Sequence, residues 1–176
     1  MKKILMLVLA FVVAFALVSC GEPVEDTNIP ETDGGNSTVQ KTESKYTFAV
    51  ENKNSFEIKI DQDMSEVLGA IGEPLSYFEA ASCAFEGLDK TYTYAGFSVM
   101  TRPEGEKDYV NAIFLTDDSL TTAKGIYIGA TADEVIEAYG EASKTDTLIS
   151  YTDGNTTLNF ILKDSKVISI EYIPAN

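Results

Sequence analysis

The sequence predicts an α+β fold, with two tandem units of a short helix followed by antiparallel strands, and the helices packed on one face of an antiparallel sheet. Three observations predict it: a recurring segment, helix boundaries marked in both copies, and period-two hydrophobicity after each copy. Lys59 to Ser76, "KIDQDMSEVLGAIGEPLS", aligns without a gap on Tyr127 to Lys144, "YIGATADEVIEAYGEASK". Ile60, Glu66, Val67, Ala70, Gly72 and Glu73 recur as Ile128, Glu134, Val135, Ala138, Gly140 and Glu141.

At the N-terminus Lys2 and Lys3 precede an uncharged apolar run, Ile4 to Val18, which has the pattern of a secretory signal and is short for a membrane span. It ends in Leu17-Val18-Ser19-Cys20-Gly21. This stretch resembles the lipobox of bacterial lipoproteins, where a branched apolar residue and small residues precede a cysteine. The resemblance implies a signal peptide at residues 1–19, removal of that signal, and lipidation of Cys20. It also implies a cell-membrane location on the extracytoplasmic face, with the membrane as a partner through acyl chains such as palmitate. Each buried CH₂ of such chains contributes about 0.8 kcal/mol.

Residues 20–45 follow as a tether. Their only large apolar side chains after Cys20 are Val24, Ile29 and Val39, too few to offset the entropy of ordering. A chain of this length reaches roughly 25 to 30 Å. Residues 46–176 are then the size of one domain, divided by the recurrence into units of about 46–118 and 119–176.

Within the domain, Tyr46, Phe48 and Val50 alternate, as do Phe56, Ile58 and Ile60, across a turn at Asn52-Lys53-Asn54. Asp63 and Thr131 occupy helix N-cap positions, with Glu66 and Glu134 three residues later as capping-box partners. Val67, Leu68 and Ile71, and equally Val135, Ile136 and Tyr139, share one helical face, and Gly72 and Gly140 end the helices. "KTYTYAGFSVMTRPEGEKDYVNAIFLTD" then breaks at Ala95-Gly96 and Pro103-Glu104-Gly105, and "TLISYTDGNTTLNFILKDSKVISIEYI" at Asp153-Gly154-Asn155 and Lys163-Asp164-Ser165. Each is read as strands joined by tight turns.

The two units differ in length. From the helix valine to the last-strand valine, Val67 to Val110 is longer than Val135 to Val167 by about eleven residues, most economically placed in "YFEAASCAFEGLD", Tyr77 to Asp89. An insertion that the core does not require is a natural place for binding residues. It is aromatic, and Tyr77, Phe85, Tyr92, Tyr94 and Phe97 are the candidate binding residues, with Phe78 in the same cluster. Tyr92 and Tyr94 alternate with threonines, so their rings face the same way.

Catalytic chemistry finds little support. The chain has no histidine, which excludes Ser/His/Asp and Cys/His catalysis. Cys83, flanked in sequence by Glu79 and Glu86, is read as a small hydrophobe filling a gap beneath the insertion. With Cys20 lipidated, Cys83 has no second cysteine for a disulfide within the mature chain. Composition also excludes a His or Cys-cluster zinc site, and neither Asp61-Gln62-Asp63 nor Asp117-Asp118 has an EF-hand's spacing. No catalytic residue, metal or cofactor is expected. Thirteen basic residues against 28 acidic ones, a net charge of −15, exclude nucleic acid as a natural partner.

The helix-then-strands pattern with its "IGATADEVIEAYGEA" lead-in resembles β-lactamase-inhibitor-protein-like tandem repeats and small lipoproteins of outer-membrane assembly. "CAFEGLDKTYTYAGFSVMTRP" with "DYVNAIFLTDDSLTTAKGIYIG" resembles uncharacterised surface lipoproteins of Gram-positive gut bacteria. The likeness covers most of residues 58–173 and implies a fold and a cell-surface location, without an activity. None of the inhibitor's contact residues has a counterpart in this chain. The expected function is thus a membrane-anchored, non-enzymatic binding module for a protein or other envelope ligand. The alternatives are a structural or assembly lipoprotein of an envelope complex, and a cell-wall-acting enzyme.

Overall fold

A computed structural model describes residues 43–176. The expected signal peptide, Cys20 and most of the expected tether lie outside the described residues.

Among the described residues there are ten strands, two α-helices and one short 3-10 helix, Glu51–Lys53. β1 (Phe48–Val50) and β2 (Phe56–Ile58) pair as a small antiparallel ribbon. α1 (Met64–Ile71) leads into β3 (Ser76–Ala81), β4 (Leu88–Tyr94), β5 (Phe97–Glu104) and β6 (Lys107–Leu115). α2 (Ala132–Tyr139) leads into β7 (Ser143–Lys144), β8 (Leu148–Asp153), β9 (Thr156–Lys163) and β10 (Lys166–Pro174). These eight strands form one sheet in the order β3-β4-β5-β6-β10-β9-β8-β7, antiparallel throughout.

The predicted fold class is therefore corrected. The molecule is β-rich, built on one large antiparallel sheet with two short helices, and is not a pair of helix-and-strand repeats. The physical reason lies at the centre of the sheet, where Ile113, Phe114 and Leu115 of β6 pair with Tyr172, Glu171 and Ile170 of β10. That ladder joins all eight strands into one layer with one inward face. Each helix has eight residues, about 12 Å of length, and covers only part of it.

Registers across the sheet show how the core is built. One cross-strand row runs Tyr92, Val99, Ile113, Tyr172, Leu158 and Tyr151; the next runs Tyr94, Phe97, Leu115, Ile170, Phe160 and Ile149. Alternation puts both rows on the same face. Phe48, Ile58, the α1 residues Met64, Val67 and Ile71, and Val135 of α2 complete that core.

Local chemistry explains the helix ends. Thr131 Oγ1 accepts from the Glu134 amide at 3.3 Å while Glu134 Oε2 accepts from the Thr131 amide at 2.7 Å, a complete capping box. Asp63 caps α1 differently, since Oδ1 accepts from the Ser65 amide at 3.0 Å and Glu66 lies beside Gln62, 3.5 Å away. The hairpin turns fall at Ala95-Gly96, Gly105-Glu106, Gly154-Asn155 and Asp164-Ser165.

Candidate functional site

The segment read as an inserted loop is instead mostly a strand. β3 pairs with β4 from Ser76 opposite Thr93 to Ala81 opposite Leu88, and it forms one edge of the sheet. Residues 82–87 close the hairpin, with Ser82 N donating to Gly87 O at 3.0 Å and the Phe85 amide donating to Ser82 Oγ at 3.1 Å. Gly87 is required here: its φ is +128°, and a Cβ on it would stand 2.9 Å from Cβ of Pro103.

The candidate residues divide into two sets. Tyr77 and Phe85 are exposed, at 49% and 45%. Tyr92 and Phe97 are buried, at 7% and 3%, so neither offers a binding surface. The reason is their place in the inward rows, where Tyr92 lies between Tyr77 and Val99 and Phe97 between Tyr94 and Leu115. Tyr94 is half-buried, stacked on Phe97 at 4.9 Å and donating its hydroxyl to Gly72 O at 3.1 Å. Burial pushes its pKa up to about 12, so it stays a neutral donor. Cys83 is exposed, which corrects its reading as a gap-filling residue under the loop.

What the structure brings to the surface at this edge is a different set. Every residue of β3 is exposed. Phe78, 65% exposed, stands in register with Thr91 and then Met100 on the outward face, where Met100 is also exposed. On the other face Tyr77 packs on Tyr92 at 5.1 Å between ring centroids, and donates its hydroxyl to the Glu79 carboxylate. That carboxylate holds the Tyr77 phenol well above its usual range. Leu75 precedes the strand, Phe85 lies in the hairpin loop and Leu88 follows it, all three exposed. Phe85 lies 6.0 Å from the Arg102 guanidinium, which is in turn 5.5 Å from the Tyr109 ring.

Leu75, Leu88 and Met100 were not legible as site residues. Their common feature is proximity to the open edge, a property of strand order with no local sequence signal. Glu79 is the one acidic side chain on β3, and no lysine or proline lies within the strand to blunt it. An edge of this kind presents unpaired backbone amides and carbonyls with apolar side chains on both faces.

A polar cleft of about 560 Å³ lies elsewhere, lined by Asp61, Asp63, Lys107 and Tyr109 among others. Two of its carboxylates are committed within the fold. Asp61 pairs with Arg102 at 3.1 Å and Asp63 with Lys107 at 2.7 Å. Among the described residues, no group of three or more His, Cys, Asp or Glu side chains could hold a metal ion. Asp117 accepts from the amide and hydroxyl of Ser119, closing a turn. Among the described residues no helix is long and apolar enough to cross a membrane.

No family model matches the chain, and no curated protein sequence matches it. Among solved structures it is similar to a cysteine-rich secretory protein from Staphylococcus aureus subsp. aureus Mu50, with a TM-score of 0.48 and 11% identity over 75% of this chain and 48% of that one. It is also similar to a DUF4309 family protein from Bacillus subtilis subsp. subtilis str. 168, with a TM-score of 0.41 and 14% identity over 65% of this chain and 79% of that one. The chain thus spans about half the length of the staphylococcal protein. Likenesses of this size bear on neither fold nor activity.

Proposed function

We propose that this protein is a lipid-anchored extracytoplasmic lipoprotein and a non-enzymatic binding module, which takes an extended segment of a partner polypeptide onto the β3 edge of its sheet. The observation that carries the reading is the edge itself: six consecutive strand residues are exposed, with Tyr77 and Phe78 on opposite faces. Strand addition uses backbone hydrogen bonds for affinity and alternate side chains for selectivity, and β3 offers both. Anchoring rests on Leu17 to Gly21 and the apolar run before it. The absence of histidine from the sequence, and the commitment of Asp61 and Asp63 to cations within the fold, favour a binding role over catalysis.

The test is photo-crosslinking on native cells from the full chain, with a benzophenone amino acid in place of Phe78. A discrete adduct is expected from position 78. From Ile168, which is 50% exposed and lies on β10 away from this edge, no such adduct is expected. Ala80→Lys, which places a charge on the edge, should abolish the adduct. Equal labelling from both positions, or an adduct indifferent to Ala80→Lys, would contradict strand addition at β3.

A further inference from the structure

A separate cavity of about 360 Å³ lies against the inward side of β10, between the segment around Tyr46 and the end of α2. Its size is at the small end of ligand pockets. The walls are apolar and aromatic: Tyr46 and Tyr139 stand with ring centroids 6.2 Å apart, and Leu158 and Tyr172 line the sheet side. The charged residues lining it are Lys45 and Lys124, both cations, in a chain whose net charge is −15.

Two features point to a ligand. Tyr172 is 1% exposed, and its hydroxyl is buried with no hydrogen-bond partner among the described residues. Buried hydroxyls are seldom left in that condition, and Tyr172 is one of the residues that line the cavity. Burial holds this phenol far above its usual range, which makes it a neutral donor. The second feature is Lys124. Lys45 is paired with Asp153 at 3.3 Å, whereas the Lys124 ammonium is held by the Ala138 carbonyl at 2.8 Å and the Tyr139 ring at 4.8 Å. Lys124 is exposed, and a carbonyl and a ring leave its full positive charge at the cavity mouth.

We propose that this cavity binds a small organic acid with an apolar body, which packs among Tyr46, Tyr139 and Leu158. An acceptor oxygen of the acid takes the Tyr172 O–H, and Lys124 offsets the negative charge. An amine of the same shape brings a second cation beside Lys124 and is excluded. A neutral alcohol keeps the apolar contact and the hydroxyl, and loses the charge.

The experiment titrates the full chain, in a non-ionic detergent, with phenylacetate, 2-phenylethanol and phenethylamine by isothermal calorimetry. Saturable binding of phenylacetate is expected, roughly tenfold tighter than the alcohol, with no binding of the amine. Lys124→Met should bring the acid down to the alcohol's affinity. Tyr172→Phe should weaken the acid by roughly tenfold while leaving Tm unchanged or higher, because the hydroxyl it removes has no partner among the described residues. Lys124 is exposed, so its variant decides the question even where Tyr172→Phe folds poorly. Absence of saturable phenylacetate binding, equal affinity for acid and amine, or wild-type affinity in Lys124→Met would each overturn the proposal. A lower Tm in a folded Tyr172→Phe would also overturn it, by showing that the hydroxyl serves the fold.

Discussion

Tyr77 and Tyr92 face each other across the β3–β4 pair with their ring centroids 5.1 Å apart, yet Tyr92 is 7% exposed and Tyr77 is 49% exposed. One step across the sheet separates core from surface. Tyr92→Ala is expected to cost about 3 kcal/mol, as an aromatic cavity in the core does. Tyr77→Ala should stay within about 1 kcal/mol. Urea denaturation of both variants checks this, and equal losses would mean that the edge is covered.

The helix starts give a second test. Removing the Thr131 hydroxyl breaks the limb of the capping box that accepts from the Glu134 amide and leaves the limb from the Thr131 amide to Glu134, so Thr131→Ala is expected to cost about 1 kcal/mol, and Asp63→Ala a comparable amount. No loss in either variant, again by urea denaturation, would contradict the cap geometry.

Asp63 also makes stability depend on pH. The Lys107 ammonium and the Ser65 hydroxyl and amide, which hydrogen-bond to its carboxylate, lower its pKa from 3.8 to about 2. A depressed folded-state value means that the carboxylate's contribution is fully present above pH 3.8 and is lost as the pH falls through about 2. The stability difference between the wild type and Asp63→Asn should therefore shrink on acidification across that window. A difference that stays constant down to pH 2 would show that the Lys107 pair does not hold the proton off.

Cys83 supplies a fourth prediction. Because it is exposed in the hairpin loop, a thiol reagent should modify the native chain at a rate within about tenfold of the unfolded chain. Cys83→Ala should change stability by less than about 0.5 kcal/mol. Strong protection of the native thiol would place it back in the packed interior.

The turns and caps were legible because their signals are local. Asp153-Gly154-Asn155 and Lys163-Asp164-Ser165 bound β9, and Thr131 with Glu134 starts α2. The alternation of Tyr92 and Tyr94 with threonines showed that their rings share a face. Which face is buried depends on the partner strands, and the row through Val99, Ile113 and Tyr172 is assembled from residues far apart in sequence. Strand order was hidden for the same reason. The β6–β10 ladder that merges all eight strands carries no local mark, and the recurrence of the helical segments drew attention to two units without showing that their strands join in one sheet. The length difference near Tyr77 was visible, but its conversion into an edge strand was not, since "SYFEAA" has neither strict alternation nor a flanking tight turn before Pro74.

Strand addition is most directly tested by amide hydrogen exchange on β3. In the isolated full chain, the β3 amides that point away from β4 should exchange close to the rate of unstructured backbone, because no strand among the described residues covers them. In the complex recovered from the native envelope, the same amides should slow by at least about a hundredfold, while Ser143 and Lys144 on the opposite edge keep their rates. Exchange on β3 that is identical in the isolated chain and in the complex would contradict the edge as the binding site.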